Sequence, residues 1–268
     1  MPKTFCHPLR FIYGSQFILG PARPKGGTEM AYQMTFRRYE LKFMLTRAQK
    51  QALLEIMEPC MSLDRFGRTT IQNLYYDTDS FRLVRRSLER PEYKEKLRVR
   101  SYGTVQEGGA VFVELKKKYD HVVYKRRLSL PENAAMAWLS GDADAAPEGQ
   151  IAREIDYFRG FYRDLEPQVF LSYEREAYFE RGGGDFRVTF DDNILTRRTS
   201  LSLKTSAWGT PLLPPGMVLM ELKTPGGIPL WMTRFLTENR IYKTSFSKYG
   251  TAYGETIFPL QEGVKKYA

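Results

Sequence analysis

The stretch EKLRVRSY, residues 95–102, places Lys96, Arg98 and Arg100 at alternate positions with Leu97 and Val99 between them. Successive side chains of a strand point to opposite faces, so three cations share one side and the aliphatic residues take the other. The same one-sided charge recurs along the chain. Arg38, Glu40 and Lys42 fall together in RRYELKF, Glu114, Lys116 and Lys118 in AVFVELKKKY, and Lys125 and Arg127 in HVVYKRRLSL. Tyr173 shares a face with Arg175 in LSYEREAY, Arg187 opens a strand in FRVTFDD, and Glu221 sits beside Lys223 in MVLMELKT. The opposite positions carry Leu97, Val99, Val113, Leu115, Val188, Val218 and Leu222, an apolar set suited to packing under helices. Any one such strand reads as an ordinary sheet with its charged face in water. Solvated faces usually mix signs, however, whereas these are dominated by cations, and the glutamates recur in one phrase, Glu-x-Lys.

Between these strands the chain is well punctuated. Residues 1–35 hold no sustained period and include GPARPKGGTE, an extension outside the core. The folded domain is expected over 36–258, with a tail at 259–268. Thr46 and Gln49 are spaced as a capping box ahead of a helix in TRAQKQALLEIME, and Asp79 or Ser80 is placed to open another in DSFRLVRRSLER. Strands at 93–102, 110–119 and 121–130 follow in meander order, with a tight turn near Asp120. PENAAMAWLS and QIAREIDYFRGFY read as helices, RGGGD as a hairpin turn, the Asp191–Asp192 pair as a turn closing a strand with a metal role as its alternative, and Pro229 as the first turn of a helix. The fold class is α+β, about eight strands whose hairpin connections favour antiparallel pairing, with at least three helices; if that sheet closes, it makes an eight-stranded β barrel with the helices packed on the outside.

The chain of 268 residues is 42% hydrophobic and carries a formal charge of +10, which points to an anionic partner. It has no run of 18 apolar residues, so no membrane span is expected, and its two cysteines fit a reducing, cytoplasmic setting. No Gly-x-x-x-x-Gly-Lys-Ser/Thr occurs, and the two histidines, His7 and His121, leave little room for a phosphohistidine route. A barrel with the charged face inward would gather cations in a confined space, where they repel and depress lysine pKa values unless a polyanion neutralises them. Phosphate chains meet that demand, because arginine gives bidentate donors and lysine a point charge. Glutamates among them would be hard oxygen ligands for Mg²⁺ or Mn²⁺, which together describes a phosphoryl-transfer site.

The segments RYELKF, EKLRVRSY, VELKKK, YKRRLSL, SYEREAY, FRVTFDDNI, MELKT and SFSKYGTAY, in this order, resemble the VTC-domain polyphosphate polymerases of the triphosphate tunnel metalloenzyme (CYTH-like) superfamily. The resemblance covers residue 36 to about residue 254. It implies an antiparallel tunnel barrel that moves the γ-phosphate of ATP onto a growing inorganic polyphosphate chain with a divalent metal, usually Mn²⁺. By position, it implies that Arg98, Arg100, Lys116, Arg175, Arg187 and Lys248 act on the phosphates, and that Lys42, Lys125 and Arg127 hold nucleotide and product. Lys96 and Lys223 join the phosphate-binding set, Lys96 at its rim. Tyr173 and Ser247 would be hydrogen-bond donors to phosphate, and Glu221 the principal metal ligand, with Glu40 and Glu114 as further carboxylates.

The hydrolytic tunnel enzymes resemble Glu-x-Glu-x-Lys in their first strand, whereas this chain has Arg38 at the first glutamate position. That departure favours the polymerase over a tunnel-type triphosphatase or nucleotide phosphohydrolase. A non-catalytic polyphosphate or RNA binder is the third class; nucleic acid is disfavoured because only Tyr102 and Phe112 offer stacking platforms on the charged face of strands 93–102 and 110–119. Any coupling to a membrane would require a separate partner.

Overall fold

The structure is a computed structural model that describes residues 39–120 and 122–259. Arg38, His7, His121, the extension assigned to 1–35 and all but the first residue of the 259–268 tail lie outside the described residues, which belong to one compact unit, Arg38–Ala268. In chain order the elements are β1 (Tyr39–Thr46), α1 (Arg47–Met57), β2 (Met61–Leu63), β3 (Thr69–Asp77), α2 (Arg82–Leu88), β4 (Tyr93–Tyr102), β5 (Ala110–Tyr119) and β6 (Val122–Pro131). There follow α3 (Glu132–Ser140), α4 (Gln150–Tyr162), β7 (Glu166–Glu180), β8 (Arg187–Arg197), β9 (Thr210–Pro211), β10 (Met217–Thr224), α5 (Leu230–Glu238), β11 (Lys243–Thr244) and α6 (Lys248–Ala252), which runs into a π-helical turn (Tyr253–Ile257).

The fold is α+β, and all strand pairing is antiparallel. The eight long strands lie where alternation places them, but they do not close a barrel of eight. Eleven strands form one open sheet in the order β11-β1-β10-β8-β7-β3-β4-β5-β6, with β2 on β7 and β9 on β8. The three added strands are two or three residues long, too short for a period to show. The open sheet is nonetheless strongly curled. Lys42 on β1 donates to the Phe246 carbonyl at 3.1 Å, and Lys96 on β4, five places along the sheet, reaches Ser247 Oγ at 3.4 Å. In a flat sheet at about 4.8 Å per strand those strands would stand roughly 24 Å apart.

Curling assigns the two faces of each strand to different environments. On the convex side Leu97, Val99, Val113 and Leu115 pack with Trp138 of α3 and Ile155 and Phe158 of α4. Leu45, Val188, Val218 and Leu222 pack with Leu53 of α1 and Met232 and Phe235 of α5. A third cluster fills one end of the concave side, where Tyr249, Ala252 and Ile257 meet Ile71, Tyr75, Val169 and Leu219. The remainder of the concave face is the charged one.

Among the described residues, side chains of the N-cap residue open α1 and α6, while α2, α3, α4 and α5 start without one. Thr46 Oγ1 accepts from Gln49 N while the Gln49 side chain accepts from Thr46 N, the expected capping box. The start of α2 differs from expectation: neither Asp79 nor Ser80 caps it. Buried Asp77, at the end of β3, instead accepts from Leu83 N at 2.8 Å and Val84 N at 3.0 Å, and Phe81 takes a left-handed φ of 57° to let the chain turn. Pro229 is the residue before α5 rather than within it. RGGGD is a hairpin connection, with Gly182 and Gly183 at positive φ. Among the described residues no helix is long and apolar enough to cross a membrane.

Candidate active site

Strand register arranges the concave side chains in rows. Glu40, Lys223, Arg187 and Phe179 are successive partners on β1, β10, β8 and β7. The next row inward is Lys42, Glu221, Thr189 and Ala177, and the third is Met44, Leu219, Asp191 and Arg175. On the other wing Tyr75, Arg98, Glu114 and Arg127 form one row across β3, β4, β5 and β6, with Lys96, Lys116 and Lys125 beside it.

Two ionic clusters result. In the first, Asp191 is fully buried and grips Arg175 at two points, 2.5 and 2.6 Å, while Lys248 Nζ lies 2.5 Å from its Oδ2. Glu221 shares both cations: Lys248 donates to it at 3.2 Å and Arg175 at 3.3 Å, and Lys42 stands 3.5 Å away. Burial alone would raise the Glu221 pKa, but Lys248, Lys42 and Arg175 outweigh it and hold the carboxyl well below its usual range. Asp191 is lowered in the same way, burial being overcome by Lys248 and Arg175. In the second cluster Glu114, 1% exposed, faces four cations. Arg98 holds its Oε2 at 2.7 and 2.8 Å; Lys125 lies 2.7 Å and Arg127 3.3 Å from Oε1, and Arg100 is 3.9 Å from Oε2. Burial opposes ionisation, yet Arg98, Arg100 and Lys125 bring its pKa down to about 2.

Tyr173 joins the clusters. Its hydroxyl accepts from Arg100 Nη2 at 3.0 Å, and its ring lies 5.1 Å from the Arg175 guanidinium and 4.6 Å from Lys248 Nζ. Arg100 Nε is held by Asn73 at 2.9 Å, and Arg98 Nη1 by Tyr75 at 3.0 Å. Tyr75 stacks on Tyr249; burial would raise its pKa, but Arg98, Lys96 and Arg100 draw it down to about 8. Lys96 is the contrasting case: burial, with repulsion from Lys116, Lys42 and Lys94, drops its ammonium to about 8.

The predicted site residues thus share one concave face but do not form a single knot. Arg175, Lys248, Lys42, Glu221 and Tyr173 gather on one wing, Arg98, Arg100, Lys125, Arg127 and Glu114 on the other. Lys116 is exposed beside Lys96, and Arg187 and Lys223 lie in the outermost row with Glu40. Ser247 has a second duty as the N-cap of α6, accepting from Gly250 N at 3.3 Å. Asp191 corrects the expectation of a turn: it lies within β8, and its spacing from Arg187 and Thr189 was the signal of its inward direction. Asn73 and Tyr75 also belong to the site; their strand, TTIQNLYYD, has no one-sided run of charge, and only the register against Arg100 and Arg98 brings them in.

Among the described residues no group of three or more His, Cys, Asp or Glu side chains is arranged to enclose a metal. A divalent ion bound along with phosphates needs less, since one or two carboxylates suffice when phosphate oxygens and water complete the shell. Glu40 and Glu221 fit that mode, flanking Lys42 at 3.7 and 3.5 Å. Glu114 is enclosed by four cations, Arg98, Arg100, Lys125 and Arg127, for which it is the shared counter-ion.

Comparison with known proteins gives a match to the VTC domain over residues 37–256. Vacuolar transporter chaperone complex subunit 4 of Schizosaccharomyces pombe is 28% identical over 161 residues, which is 52% of this chain and 22% of that protein. The chain therefore matches about a fifth of that relative's length. Solved structures similar to it include a candidate adenylate cyclase from Bacillus halodurans, at 15% identity and a TM-score of 0.48 over 78% of this chain and 92% of the other. A candidate adenylyl cyclase from Hippeastrum with a dominant triphosphatase activity has the same identity and TM-score, over 83% and 98%. The matched segment begins two residues before β1 and ends in the π-helical turn after α6, so it holds both ionic clusters, and the chain belongs to the VTC-domain family.

Proposed function

We propose that this chain is an ATP-dependent polyphosphate polymerase that transfers the γ-phosphate of ATP to the end of a growing inorganic polyphosphate chain. The observation that carries the reading is the crowding of cations on the concave face beyond the reach of its carboxylates. Lys96, for instance, has Lys116, Lys42 and Lys94 as charged neighbours. Such a face is relieved by a polyanion. Family membership and the similarity to a vacuolar transporter chaperone subunit support the same reading.

The side chains are oriented for the task before substrate arrives. Arg175 uses Nε and Nη2 on Asp191 and Glu221, leaving the Nη1 hydrogens for a phosphate oxygen. Arg100 uses Nε and Nη2 on Asn73 and Tyr173, which again leaves Nη1. Lys248 spends two of its three donors on Asp191 and Glu221 and has a third to give. Fixed donors of this kind stabilise charge on the transferring group without reorganising during the reaction. Mn²⁺ or Mg²⁺, held by Glu40 and Glu221 with phosphate oxygens, would supply further charge neutralisation. The terminal oxygen of the polyphosphate chain attacks the γ-phosphorus and ADP leaves. Incubation of pure protein with ATP and Mn²⁺ is expected to yield ADP and long-chain polyphosphate in proportion; orthophosphate release without chain growth would instead assign the site to a hydrolase.

A further inference from the structure

The outermost row of the concave face opens into a 390 Å³ cleft lined by Asp64, Ala177, Tyr178, Phe179, Arg187, Thr189 and Lys223. Its volume lies inside the range of about 300–1,000 Å³ usual for small-molecule sites. Three features separate it from the cation-lined interior. Phe179 faces the cleft with 45% of its surface exposed, although it sits on the same side of β7 as Arg175. Thr189 is 7% exposed, and its Oγ1 is buried with no hydrogen-bond partner. Asp64, its amide bonded to the Ala177 carbonyl at 2.8 Å, brings a carboxylate whose Oδ1 accepts from Phe66 N at 3.0 Å and whose Oδ2 is left for a ligand. Arg187 and Lys223 at the cleft can meet phosphate, but Asp64 repels it and Phe179 and Ala177 offer it no side-chain donors. A flat heteroaromatic ring with polar edges suits all three, because its face stacks on a phenyl ring and its edge pairs with a hydroxyl and a carboxylate.

We infer that this cleft holds the nucleobase of the nucleotide substrate, with Phe179 as its stacking platform and Thr189 as a hydrogen-bonding partner. Arg187 and Lys223, in the same row, meet the phosphates nearest the sugar, and the next rows lead through Glu221 to Arg175 and Lys248. The inference rests on ATP being the substrate, and it makes Phe179 and Thr189 residues that favour ATP over phosphate chains lacking a base.

The test compares binding of ATP and of inorganic tripolyphosphate, each with Mg²⁺, by calorimetry to the wild type, Phe179→Ala, Phe179→Trp and Thr189→Val. Phe179→Ala is expected to weaken ATP about tenfold and Phe179→Trp to retain it, with tripolyphosphate affinity unchanged in both. Thr189→Val should weaken ATP about fivefold and leave tripolyphosphate unchanged. Equal losses for both ligands, no loss for either, or a loss for tripolyphosphate alone would overturn the inference. Because Phe179 is exposed, its variants report even where Thr189→Val fails to fold. Polymer synthesis by the wild type is scored separately: a Phe179-dependent ATP preference without polymer would leave the base site standing and remove the polymerase reading.

Discussion

Arg175 and Asp191 stand opposite each other in the β7–β8 register and close into a two-point ion pair, 2.5 and 2.6 Å, with Lys248 on the far side of the same carboxylate. Asp191 is fully buried, so the pair cannot borrow solvation from water. Asp191→Asn leaves two buried cations with Glu221 as their shared counter-ion. The expected cost is about 3–5 kcal/mol of stability. In thermal denaturation that is a melting temperature lower by at least about 6 °C. Tripolyphosphate should then raise the melting temperature of the variant more than that of the wild type, because it supplies the missing negative charge. A variant that melts like the wild type would show that Glu221 alone neutralises the cluster.

Glu221 and Glu114 are both buried carboxylates among cations, yet their surroundings give them different duties. Glu221 lies one row from Glu40, with Lys42 between them at 3.5 and 3.7 Å; Glu114 is enclosed by Arg98, Arg100, Lys125 and Arg127. Glu221→Gln is expected to lower kcat/KM for ATP at least about 100-fold and to raise the Mn²⁺ concentration needed for half-activation. Glu114→Gln should destabilise the fold by about 3–5 kcal/mol while the Mn²⁺ requirement of the remaining activity stays put. Titrating Mn²⁺ against both variants separates the roles, and a shifted Mn²⁺ requirement in Glu114→Gln would return that residue to the metal site.

The charged faces of most long strands were legible because a period of two is written into them, from ELK in β1 to ELK in β10. The side a residue faces can be read this way, but the neighbour it meets cannot. Asp191 looked like half of a turn because Asp-Asp is turn-like in isolation; its period-two spacing from Arg187 and Thr189 marks its side, but only the pairing with Arg175 shows what it meets. Asn73 and Tyr75 sit in a strand nearly every residue of which is buried, so no alternation marks their polar groups. The eight-stranded closure failed for a related reason: edge pairing by β11 is a matter of two residues, Lys243 and Thr244, and depends on curvature that no local pattern encodes. Asp77 capping α2 from six and seven residues away is likewise a tertiary choice, made because burial at the end of β3 leaves its carboxylate no water to prefer.

Lys96 makes the site respond to alkaline pH in two opposite ways. Burial and the neighbouring Lys116, Lys42 and Lys94 bring its pKa from 10.5 to about 8, against the attraction of Tyr75, while its ammonium donates to Ser247. Between these values the unfolded chain binds the proton more tightly than the native one, so native stability rises as pH increases from about 8 toward 10.5. Tyr75, lowered to about 8 from 10.0, acts with the same sign over the same window. The ligand-free protein should therefore gain melting temperature from pH 8 to pH 10, and Lys96→Met should reduce that gain. Binding moves the other way, because a phosphate chain favours the charged ammonium. Tripolyphosphate affinity is expected to fall as pH passes 8 in the wild type and to hold to higher pH in Lys96→Arg, whose guanidinium keeps its proton. Parallel pH profiles for the two proteins would remove Lys96 from the phosphate-binding surface.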